Sequence, residues 1–190
     1  MAFLMLFAPL TSRLAGDLRA GMELVYIANG AAQPPWTVQV VQPGAALKGR
    51  ADCALVRIRR QLDRVEAPEE KLCVERNVLH AWDARSAAWQ PQRPLGARME
   101  LRVPRPDGDT LHYTTASLSE EEISGVRLSV VNTTVTTIDA AGQTKRRLIE
   151  RYSATLTTAT GGRFEVPDVK APGGWRTEQQ FELREIRVPR

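Results

Sequence analysis

The chain has 190 residues, 43% of them hydrophobic and 25% charged, with a formal net charge of +4. That balance excludes an intrinsically disordered chain, and the length suits one core of ordinary size. The 26 basic side chains are interleaved with 22 acidic ones along the whole chain, and no exposed-aromatic motif accompanies them, so nucleic acid is not an expected partner.

From the amino terminus, Ala2 to Leu10 is an apolar run with the length of a signal-peptide core, followed by Gly16-Asp17 as a start for a mature chain. No positive side chain precedes the run, and Arg13 is misplaced for cleavage after Ala15. Residues 1–16 therefore read either as a truncated signal peptide or as an apolar helix packed on the domain. The run is too short to span a bilayer and no later stretch is long enough, so no transmembrane span is expected. Residues 17–190 read as a single β-rich domain.

Within it, Met22 to Ala28 is a strand ending at Asn29-Gly30, and Trp36 to Val41 ends at Pro43-Gly44. Cys53 to Arg60 and Lys71 to Glu75 read as neighbours across a charged loop holding Pro68. Val78 to Asp83 turns through Ala84, Arg85 and Ser86 into Ala88 to Gln90. Met99, Leu101 and Val103 alternate with Glu100 and Arg102, the period-two pattern of a half-buried strand. Pro104 to Asp109 is the hairpin loop that follows, and Leu111, Tyr113 and Thr115 continue the alternation. Ser119 to Ile123 has the spacing of a helical capping box, Ser119 with Glu122 three residues on. Val126 to Ile138, Thr144 to Thr155 and Trp175 to Val188 complete the strands, the last after a loop from Pro167 to Gly174.

The fold class expected is all-β: an antiparallel up-and-down meander of about ten strands forming a strongly curved sheet or barrel, with little helix. Two strands change phase. Val126, Leu128 and Val130 share one face and Val131 and Val135 the other; Phe181 and Leu183 give way to Ile186 and Val188. Bulges near Asn132 and near Arg184-Glu185 would reconcile these patterns and bend the sheet; the alternative is a strand buried on both faces.

If Cys53 and Cys73 face one another, Ala54 lies opposite Leu72, Leu55 opposite Lys71 and Val56 opposite Glu70. Ala54, Val56 and Ile58 then share a face with Leu72 and Val74, and both sulfurs take the other. Hydrophobic phase and pairing thus agree, which favours a disulfide and an oxidising compartment, periplasmic or secreted. The other reading is two reduced cysteines acting as small apolar residues.

Chemistry is sparse. His80 and His112 belong to no metal or catalytic motif, and no nucleophile elbow, phosphate loop or dinucleotide fingerprint occurs. Asp107 and Asp109 flank Gly108 as a turn rather than as a calcium loop, and Glu120, Glu121 and Glu122 form a solvated run. No metal, no cofactor and no enzymatic activity is expected. Tyr26, Trp36, Trp82, Trp89, Tyr113 and Phe181 are the candidate ligand-binding residues, because aromatics on different strands converge inside a curled sheet. That inside either fills with side chains or keeps a lipocalin-like apolar cavity.

The carboxy-terminal half, from Val126 through the Thr-rich strand, Ala140-Ala141-Gly142-Gln143, Leu148 to Tyr152 and Phe181 to Ile186, resembles the half-barrel of the LolA and LolB lipoprotein carriers and related periplasmic domains. The lipid-anchor cysteine of LolB has no counterpart. The resemblance implies a domain holding an apolar small molecule, a lipid or an envelope protein partner in a concave sheet. The alternative is a structural or protein-interaction domain with a filled core and no ligand.

Overall fold

The computed structural model describes residues 22–29, 31–32, 36–47, 50–60, 70–153, 156 and 158–188; for 22–23 and 31–70 it describes backbone only. The expectation for residues 1–16 lies outside these, as does the loop holding Pro68. Thirteen strands are present among the described residues. In the first half they are β1 (Met22–Ala28), β2 (Ala31–Ala32), β3 (Trp36–Leu47), β4 (Arg50–Arg60), β5 (Glu70–Glu75), β6 (Val78–Asp83) and β7 (Ala88–Pro94). The second half holds β8 (Glu100–Pro104), β9 (Thr110–Ile123), β10 (Val126–Ile138), β11 (Thr144–Ser153), β12 (Thr158–Pro167) and β13 (Trp175–Arg187). A single 3₁₀ turn, Pro172–Gly174, is the only helical piece among the described residues, and no helix among them is long and apolar enough to cross a membrane.

All ladders are antiparallel and form one sheet in the order β7-β6-β5-β4-β3-β1-β13-β12-β11-β10-β9-β8, with β2 paired to β1. The chain therefore meanders through its first half, returns at the far edge, and meanders back until β13 pairs with β1. Arg93 on β7 and Glu150 on β11 are eight ladder steps apart in this order. A flat sheet would separate them by about 38 Å at ~4.8 Å per step. Arg93 Nη1 nevertheless donates to Glu150 Oε1 at 2.8 Å, so the sheet curls until its first edge meets the opposite wall. Among the described residues no ladder joins β7 to β8. The result is a curled open sheet rather than a closed barrel.

The corner from Leu95 to Met99 fixes that approach. Thr115 Oγ1 donates to the Gly96 carbonyl at 2.6 Å and accepts the Met99 N–H at 2.8 Å, while the Leu95 N–H donates to the Asn77 carbonyl. Leu95 is buried in a core with Leu24, Tyr26, Leu72, Leu79, Leu128, Val131, Tyr152, Leu156, Leu183 and Ile186.

Both phase changes are accounted for. Val25 pairs with Glu185 but Tyr26 with Leu183, so Arg184 is an extra residue, the expected bulge. It keeps Leu183 and Ile186 on one face with Tyr26 and Leu24. In β10 the register against β9 also breaks at Asn132, since Val131 pairs with Leu118 and Thr133 with Thr115. Here the extra residue belongs to β9, while β10 stays in unbroken register with β11 from Val130 to Thr137. Val130 and Val131 consequently point to opposite faces and both are buried, which also realises the two-faced strand. Beyond Val130↔Ser153, β10 pairs among the described residues only with β9, and this ribbon crosses to β13, where Ser124 Oγ accepts the Ile186 N–H at 3.0 Å.

One expectation is corrected. Ser119 to Ile123 is strand, not a helical turn: Ser119 pairs with Val130, Glu121 with Leu128 and Ile123 with Val126. The ladder outweighs a cap with no apolar helical face behind it, and Ser124-Gly125, both at positive φ, form a two-residue hairpin turn instead. β12 carries Gly161-Gly162 in its interior. At Gly162 glycine is required by close approach of the backbone. A Cβ on Gly162 would lie 2.6 Å from the Ile149 carbonyl oxygen and 3.1 Å from the Glu150 Cα. Gly162→Ala is thus expected to destabilise by about 1–3 kcal/mol, the range for overpacking against backbone, read as a lowered urea midpoint. An unchanged midpoint would show that β11 and β12 can separate freely.

Candidate functional site

The curl brings together residues from strands distant in the sheet. Glu150 shares strand parity with Leu148 and Tyr152 and so faces inward, where only 3% of its side chain is exposed. Arg93, from the edge strand β7, covers it. The Arg93 guanidinium lies 3.6 Å from the centroid of the Tyr152 ring and 5.6 Å from that of Tyr113. One cation is therefore held between two aromatic faces and paired with a carboxylate. Burial opposes the Arg93 charge, but Tyr152, Glu150 and Tyr113 outweigh it and raise the affinity of the guanidinium for its proton. Burial likewise pushes the Tyr113 phenol up.

The expected aromatic residues do not form one group. Tyr26 and Phe181 lie 6.4 Å apart between ring centroids, and Phe164 extends that stack at 6.0 Å from Phe181. The Tyr26 hydroxyl donates to the Ala159 carbonyl at 2.8 Å, with Thr158 Oγ1 at 3.1 Å, and burial pushes its pKa up to about 12. Trp82 and Trp89 pair edge-to-face at 5.6 Å across β6 and β7, apart from Tyr26. Tyr113 belongs to the Arg93 cluster. The Trp36 side chain lies outside the described residues. Arg93 and Glu150 were not anticipated; the legible signal was an acid in the inward phase of an otherwise apolar alternation.

Cys53 lies directly opposite Cys73, with Ala54↔Leu72, Leu55↔Lys71 and Val56↔Glu70, the register that the hydrophobic phase demanded. Cys73 is 1% exposed, and its neighbours Leu72 and Val74 are buried on the other face. The Cys53 side chain lies outside the described residues. The histidines are apart: His80 Nδ1 is 3.0 Å from the Val78 carbonyl, and His112 Nε2 is 2.7 Å from Glu100 Oε1 on the edge strand β8. Among the described residues no three His, Cys, Asp or Glu side chains gather as metal ligands. Asp107 and Asp109 shape the β8–β9 turn, and Lys145 Nζ contacts both oxygens of Asp109, at 2.7 and 2.8 Å.

On the outer face of β11 and β12, Glu165 accepts from Arg147 Nε at 2.5 Å and Arg163 Nε at 2.7 Å, and Arg147 stacks on Trp175 at 4.0 Å. Burial works against the Glu165 charge, but the Arg163 and Arg147 hydrogen bonds outweigh it and hold the carboxyl below its ordinary value of 4.5. A depressed folded pKa gives stability that is complete above 4.5 and lost as pH falls through the folded value. Glu165→Gln is accordingly expected to lower the urea midpoint at pH 7 but far less at pH 3. An equal loss at both pH values would show that the charge contributes nothing.

In comparisons with protein-family models, curated proteins and solved structures, nothing matches the chain.

Proposed function

We propose that this protein is a non-catalytic extracytoplasmic interaction domain whose curled sheet is filled by its own side chains. What carries the reading is the Arg93–Glu150 pair set between Tyr113 and Tyr152. It occupies the concave side, where a half-barrel carrier would receive an apolar chain, and burying hydrocarbon against a paired charge is unfavourable. Tyr26 and Phe181 support it as well: the Tyr26 hydroxyl bonds within the protein, and both rings pack with the core.

The cysteines support the extracytoplasmic setting. Their direct opposition and the burial of Cys73 suit a disulfide, and such a bond persists in an oxidising environment. Titration with N-phenyl-1-naphthylamine, a dye that fluoresces in apolar cavities, tests the filled interior. No saturable rise in emission is expected. A saturable rise, competed away by phospholipid and abolished by Tyr26→Trp, would instead establish the carrier reading.

A further inference from the structure

The outer face of β10 to β13 carries two side-chain rows that run across the strands. One is Asn132↔Arg151↔Gly161↔Glu182, and the next is Thr134↔Ile149↔Arg163↔Gln180. Together they line a trough of about 390 Å³, continued over Gln180 and Glu182 by a second depression of about 540 Å³ toward β1. Side chains recur about every 4.8 Å across strands, close to the length of one pyranose unit.

The chemistry of the trough narrows its occupant. Each charge in it already has a counter-charge: Arg151 with Glu121, Arg163 with Glu165, and Glu182 with Arg184. A polyanion gains little there. Apart from Ile149 both rows are polar or glycine, so an apolar chain gains little either. The floor is a sheet face whose backbone groups are committed to ladders, so an extended peptide cannot join it as a strand. Amide, hydroxyl and guanidinium groups in a shallow, charge-balanced groove suit a ligand rich in hydroxyls.

One group is preorganised. Glu121 pairs with Arg151 through one oxygen and accepts the Thr160 hydroxyl at 2.8 Å through the other. The Arg151 guanidinium is thereby laid over Gly161, where a Cβ would lie 2.5 Å from Arg151 Nη2. The Asn132 amide nitrogen is engaged by Ser117 and Ser119, which leaves its carbonyl oxygen as the acceptor. We propose that this face binds a neutral oligosaccharide laid across the strands, with Arg151 and Asn132 donating to and accepting from its hydroxyls. The proposal goes beyond the filled interior and is independent of it, because the two use opposite faces of the sheet.

The test is a ¹⁵N-correlation NMR titration of the full chain with cellohexaose, maltohexaose and the N-acetylglucosamine hexamer. At least one should shift the amides of Asn132, Arg151, Gly161 and Glu182 saturably. Gly161→Ala should then weaken binding about tenfold, equivalent to ~1.4 kcal/mol. This variant removes no polar group, and the clash it creates is with the movable end of an arginine, so it folds. Arg151→Lys should weaken binding similarly if the planar guanidinium is what recognises the ligand. No saturable shift with any of the three sugars would overturn the proposal, as would shifts confined to the β7 or β8 edges, or affinity unchanged in Gly161→Ala. Each of these is separable from the dye result, which reports only on the interior.

Discussion

Arg93→Met is expected to lower the stability of the folded chain by about 3 to 5 kcal/mol, the penalty for removing one partner of a buried ion pair. Its partner Glu150 is 3% exposed, and no basic side chain other than Arg93 is seen within ion-pair distance of it among the described residues. The loss has a second component, because the guanidinium also fills the space between Tyr113 and Tyr152. Methionine restores part of that packing, so the stranded carboxylate is the larger share of the measured change. The double variant Arg93→Met/Glu150→Leu should recover most of the loss, since replacing both charges by apolar groups of similar size is near neutral. Urea unfolding of the wild type, the two singles and the double gives the coupling directly. Additive effects would mean that the curl does not depend on this pair.

Breaking the proposed Cys53–Cys73 bond has the second largest expected effect. The bond would close a loop of about 20 residues, and reduction or Cys53→Ala/Cys73→Ala should cost roughly 3 kcal/mol through the unfolded state. Alanine is chosen because Cys73 is 1% exposed and a serine hydroxyl there would add the cost of a buried polar group. The midpoint of urea unfolding, measured with and without reductant, should fall in the wild type and stay fixed in the double alanine variant. A reductant-insensitive wild type with two titratable thiols would remove the bond, and with it the support for an extracytoplasmic setting.

The fold was legible where a single strand carries its own pattern. Met22–Ala28, Val78–Asp83 and Val126–Ile138 have in the structure the bounds their alternation and turn residues imply. The cysteine register was legible because a one-residue slip would have put the apolar positions of the two segments out of phase with each other. Arg184 was legible as a bulge because the apolar positions around it fall out of phase. Where the determining contact lies on another strand, the pattern misled. The break at Asn132 is carried by β9, not by β10, and the reason for glycine at 162 is the Ile149 carbonyl on β11.

The candidate sites were less legible for the same reason. Aromatic residues could be named from composition and strand parity, but their grouping depends on the curl, which separates Trp82 and Trp89 from Tyr26 and Phe181. Arg93 and Glu150 are 57 residues apart in sequence, and nothing local marks either as the other's partner. Arg151, Gly161 and Glu121 meet only because the β9–β10 ribbon crosses the ends of β11 and β12.

The central claim, an interior filled by the protein itself, is tested most directly by native mass spectrometry of the protein purified from its own host under non-denaturing conditions. The account predicts the mass of the bare chain, with nothing released by organic extraction. A stoichiometric lipid or other apolar adduct, retained through purification and lost on extraction, would contradict it.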